Sequence, residues 1–103
     1  MRRFPPIAFS ILLLAAIALA AEPAAIVSRI KRMPVESSAL VAVGYSKKLR
    51  ALEIEFRNGA IYRYLDVPSD VYEALFKARS KARFYDENIR HKYRSQHVKA
   101  RSE

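Results

Sequence analysis

The sequence predicts a small α+β fold: a three-stranded antiparallel β-meander followed by two α-helices packed on one face, in a single domain. Three observations carry this. Two alternating runs, Ala51–Phe56 and Ala60–Leu65, flank Asn58-Gly59, the strongest short-range hairpin signal. A β-branched run, Ala39–Tyr45, precedes them without clear alternation, as a central or doubly covered strand would. Two segments with helix-spaced apolar residues follow Pro68.

The hairpin register follows from its charges. A two-residue turn would set Ile54 opposite Arg63 and Glu53 opposite Tyr64, placing a charge on the apolar face. A three-residue turn, Arg57-Asn58-Gly59 with Gly59 left-handed, pairs Phe56 with Ala60, Ile54 with Tyr62 and Leu52 with Tyr64. The other face then carries Glu55 against Ile61 and Glu53 against Arg63, an opposite-charge pair. The second register is preferred, and it turns Tyr62 and Tyr64 towards the core.

The remaining elements are read around this hairpin. Ser37 and Ser38 serve strand entry, and Ser46-Lys47-Lys48-Leu49-Arg50 is a basic turn. Ser69 or Asp70 caps a first helix whose apolar face is Val71, Tyr72, Leu75, Phe76 and Ala78. Arg79–Arg83 is a basic connector, and Phe84–Arg94 is a second helix with Tyr85, Ile89 and Tyr93 inward. His91 lies on that helix four residues after Glu87, an exposed pair.

The ends are read as lying outside the domain. Arg2 and Arg3, an apolar run from Ile7, and Ala18-Leu19-Ala20 form a leader over residues 1–20 with a cut between Ala20 and Ala21. Residues 21–34 are a linker, 35–95 the domain, and 96–103 a disordered basic tail. The protein is therefore expected to be exported, periplasmic or secreted.

The chain has no cysteine, which excludes disulfides, thiol catalysis and Cys-ligated zinc. No spacing of the two histidines and the carboxylates makes a metal site or a nucleophile with an oriented base. No catalytic residue, metal or cofactor is expected. Net charge is +9 in 103 residues, favouring polyanionic partners. From Lys77 to Glu103 there are nine Lys/Arg against three acids. Arg79, Lys81, Arg83, Arg90, Lys92 and Arg94 are the candidate anion or nucleic-acid contacts.

Val35-Glu36-Ser37-Ser38, Val43-Gly44-Tyr45, Leu52–Phe56 with Asn58-Gly59, and Tyr62-Arg63-Tyr64 form an ordered series. Val67-Pro68 with Val71-Tyr72, Ser80-Lys81, and Ile89-Arg90 with Tyr93 extend it. Together these residues resemble the KTSC domain, named after the C-terminal extension of some lysyl-tRNA synthetases. Ala82 stands where that pattern usually has Gly, and Phe84-Tyr85-Asp86 where it commonly has Tyr-Phe-Asn. The resemblance implies a small domain without established activity, with RNA binding suggested through the synthetase association. It marks Asn58, Gly59, Tyr62 and Tyr64 as a structural motif.

The reading is thus an exported, basic, non-catalytic module that contacts an anionic polymer or surface, nucleic acid or an envelope component. Two alternatives stand beside it. One is a protein-interaction module using an exposed sheet face of Glu53, Glu55, Ile61, Arg63 and Leu65. The other is an RNA-binding domain, if the chain is not exported.

Overall fold

The computed structural model describes residues 25–100. The leader reading of residues 1–20, with its cut, lies outside these. The described chain is an α+β domain whose sheet has five strands rather than three, in the order β1-β2-β3-β4-β5, all antiparallel. The strands are β1 (Met33–Pro34), β2 (Leu40–Ser46), β3 (Ala51–Phe56), β4 (Ile61–Tyr64) and β5 (Ser95–His97). Helices α1 (Ser69–Lys77) and α2 (Lys81–Asn88) lie between β4 and β5.

The hairpin register is the bulged one. Leu52 pairs with Tyr64, Glu53 with Arg63, Ile54 with Tyr62 and Glu55 with Ile61. The Phe56 amide donates to the Ala60 carbonyl at 2.8 Å and the Gly59 amide to the Phe56 carbonyl at 2.9 Å. Gly59 has φ 93°, which glycine adopts without the Cβ penalty. Asn58 Oδ1 accepts from the Ala60 amide at 2.9 Å, so the side chain helps close the turn.

Alternation then sorts the sheet into two faces. One face gives Leu40, Val43, Leu52, Ile54 and Tyr64 to a core completed by Val67, Leu75 of α1, and Ile89 just after α2. Val71, Tyr72, Phe84, Tyr85 and Tyr93 pack around it. Helix α1 starts after Pro68, which suits a first-turn boundary because it lacks an amide hydrogen. No side chain caps it, so neither Ser69 nor Asp70 acts as its cap.

Helix α2 begins earlier than the sequence suggested. The Ser80 hydroxyl accepts from the Arg83 amide at 3.2 Å, so Lys81–Arg83 is the first helical turn and not a connector. It also ends earlier. The Ile89 and Arg90 amides both donate to the Tyr85 carbonyl at 2.9 Å, and His91 is left-handed at φ 62°. His91 therefore sits in a turn and not on a helix.

The second face is covered by the chain's own N-terminal segment, and the linker reading of 21–34 fails for its described part. Ile26 bridges Val98 beside β5, with its amide on the His97 carbonyl at 3.0 Å. The segment then crosses the sheet. The Ser28 hydroxyl meets Arg63 of β4, Arg32 meets Glu53 of β3, and Met33–Pro34 pair with β2. This strap passes so close to β2 that a Cβ on Gly44 would overlap the Lys31 carbonyl oxygen. Glycine is needed there for space. The tail reading of 96–103 fails likewise for its described part: Gln96 and His97 pair with Arg63 and Tyr62, and Val98 is buried. Both ends add backbone partners to strands that would otherwise be bare edges.

Candidate functional site

Glu53, on the strapped face, is fully buried. Arg32 reaches its Oε1 at 2.8 Å, and Arg63 places Nε at 2.9 Å and a terminal nitrogen at 2.8 Å from Oε2. A buried carboxylate is tolerable only with such charge-assisted bonds. Arg63 also donates to the Ser28 hydroxyl at 3.3 Å. The Arg32 Nε atom is buried without a hydrogen bond, 3.7 Å from Glu55. This triad fastens the strap. The sheet face of Glu53, Glu55, Ile61, Arg63 and Leu65 is therefore not an exposed one: Glu53 and Ile61 are buried, and Glu55, Arg63 and Leu65 are only partly accessible.

On the helix side, an open cleft of about 530 Å³ is lined by aromatic side chains. Phe56, Tyr62 and Tyr64 come from the hairpin, Tyr85 from α2, and Arg90, His91 and Tyr93 from the turn after α2. The hydroxyls of Tyr64 and Tyr85 are 2.7 Å apart. Burial, and then this hydrogen bond, push the Tyr64 phenol well above its ordinary range. Phe56 and Tyr85 meet edge to face at 5.2 Å, and Tyr62 lies 5.5 Å from the His97 ring. Tyr64 is buried as expected, while Tyr62, Tyr85 and Tyr93 are only half-buried. They pack on the core with one surface and line the cleft with the rest. The predicted inward orientation is correct, but it does not withdraw these rings from solvent.

The six candidate cations do not form one patch. Lys81 donates to the Ala78 carbonyl at 2.9 Å and closes the start of α2. Arg79 and Arg83 are exposed at that same end. Arg90, Lys92 and Arg94 are exposed beyond the other end, roughly 12 Å away for an eight-residue helix. Arg90 pairs with Asp86 at 3.0 Å, and the carboxylate raises its already high pKa. Arg94 lies 3.9 Å from Asp66 in a fully wet pair. Arg90 lines the aromatic cleft and also joins Arg83 along a second groove that contains Asp86 and Glu87. The carboxylates make that second groove the poorer anion site.

The sequence reading found Tyr62, Tyr64 and Arg90 but not the cleft. The i, i+4, i+8 spacing puts Tyr85, Ile89 and Tyr93 on one inward helical stripe, but α2 ends at Asn88 and Tyr93 comes from the turn beyond it. The missed signal is size: a domain this small cannot fully bury five large rings at one place.

The KTSC domain family matches residues 36–93, so the chain belongs to that family. An uncharacterised protein of Stutzerimonas stutzeri is 42% identical over 57 residues, covering 55% of this chain and 80% of its own. A lysine–tRNA ligase of Nostoc punctiforme is 36% identical over 59 residues, 57% of this chain but only 10% of the ligase. The crystal structure of a KTSC domain protein from Yersinia pestis aligns with TM-score 0.66 at 37% identity, covering 68% of this chain and 99% of that one. The family match ends before β5 and begins after the strap.

Proposed function

We propose that this protein is a non-catalytic binding module that takes a single-stranded, phosphate-bearing polymer along the Phe56–Tyr62–Tyr85–Tyr93 cleft. One observation carries the reading: half-buried aromatic rings and the exposed Arg90 guanidinium line the same open cleft. Rings fixed on a core lose little entropy when a base stacks on them, and stacking contributes about 1–3 kcal/mol per base. Lys92 and Arg94, in the same turn, supply further charge for phosphates. Arg79, Lys81 and Arg83 then serve at most as a distant electrostatic contribution. The leader-like N-terminus supports an exported protein, for which the polymer is nucleic acid outside the cytoplasm.

Anisotropy titration of a labelled oligonucleotide of about 12 nucleotides tests this. Three phosphate contacts predict a slope of log K against log salt near −2 for a single strand. Arg90→Glu is expected to weaken binding at least tenfold, or about 1.4 kcal/mol. Binding that ignores both salt and Arg90 contradicts the reading. Failure to bind any oligonucleotide, with retention on an anionic envelope polymer, moves the function to that polymer.

A further inference from the structure

Two basic stretches that serve no purpose in the proposed cleft meet elsewhere on the molecule. Val27, Arg29, Ile30 and Lys31 of the strap line one open cleft with Ser46 at the end of β2, Lys48 and Leu49 of the β2–β3 turn, Tyr45 and Arg63, and Lys47 is exposed in the same turn. Val27 is 78% exposed and Leu49 is 54% exposed, two of the four large apolar side chains most open to solvent among the described residues. Arg29, Lys31 and Lys48 stand beside them, exposed and outside every ion pair of the described residues. No carboxylate of the described residues lines the cleft.

The turn holds Leu49 in place. The Ser46 hydroxyl accepts from the Leu49 amide at 3.1 Å, and Arg50 closes the turn with its amide on the Lys47 carbonyl at 3.3 Å. Arg50 takes a left-handed φ of 52° to do so. A fixed backbone thus presents an aliphatic side chain to water between cations. Single exposed aliphatic residues are ordinary on protein surfaces. Two of them in one cleft rimmed by Arg29, Lys31 and Lys48 make an amphipathic tip.

We propose that this tip is a docking surface for a bilayer rich in anionic phospholipid. Val27 and Leu49 enter the headgroup–acyl boundary while Arg29, Lys31, Lys47 and Lys48 meet the headgroup phosphates. Charge complementarity favours an anionic partner. The branched aliphatic side chains favour a lipid one, and the Tyr45 ring that also lines the cleft is already stacked on Tyr72 with centroids 5.3 Å apart. The inference is independent of the aromatic cleft.

Co-sedimentation of the protein with phosphatidylcholine vesicles, with and without phosphatidylglycerol, is the test. Binding is expected only to the anionic vesicles. Leu49→Asp should weaken it about tenfold through lost apolar burial and added charge. Lys47→Ala and Lys48→Ala should each weaken it about fivefold. Arg90→Glu, in the other cleft, should leave vesicle binding unchanged. These side chains are exposed, and thermal unfolding followed by circular dichroism verifies that each variant folds. Equal affinity of Leu49→Asp and the wild type would overturn the proposal, as would equal binding to neutral vesicles. Loss of oligonucleotide rather than vesicle binding in Leu49→Asp would assign the tip to nucleic acid and overturn it too.

Discussion

Glu53 has no contact with water and answers to two guanidinium groups, one from β4 and one from the strap. Replacing it by Gln leaves both arginines beneath the strap without their carboxylate. We expect a loss of about 3–5 kcal/mol in urea unfolding, as when one partner of a buried pair is removed. A change under about 1 kcal/mol would mean that water already screens the triad. Tyr64 gives a pH signature. Its raised pKa means that the folded state holds the phenol neutral while the unfolded chain ionises near pH 10. The stabilisation is therefore complete below about pH 10 and is lost progressively above it. Tyr64→Phe should flatten that alkaline decline, and an unaltered slope would assign it to other groups. Half of the Glu53 site was legible in the sequence: Arg63 sits opposite in the strand pairing. Arg32 was not, because it comes from an irregular segment 21 residues away that no periodicity ties to the sheet.

At the scale of elements, the hairpin was the most legible part. Asn-Gly and a charge pair act together there, and both favour one register. The strap and β5 were illegible for opposite reasons. The strap makes only a two-residue strand and a single bridge, so it carries no strand period. Strand β5 is three exposed polar residues whose pairing comes from the open edge of β4. The start of α2 hid in a basic run, since Ser80 is an adequate cap among residues that charge alone marks as a loop. Gly44 tests the strap as an element. Gly44→Ala should cost roughly 1–3 kcal/mol, as overpacking does, because the Lys31 backbone must move. If the variant keeps wild-type stability, the strap is not seated on β2 in solution.

At the scale of the whole molecule, a doubly covered sheet frees the helix side for a cleft. The strap hides one face, and the other carries the core with aromatic residues left over at its rim. The net charge pointed to an anionic partner, but composition does not say where charge collects, and the fold divides the six candidate cations between two ends of α2. The decisive measurement is oligonucleotide anisotropy on two variants side by side, Tyr93→Ala at the cleft and Arg83→Glu at the start of α2. Tyr93→Ala is expected to weaken binding about tenfold, in line with the loss of one stacked base, and Arg83→Glu less than threefold. The reverse order, with Arg83→Glu abolishing binding and Tyr93→Ala sparing it, would contradict the assignment of the aromatic cleft.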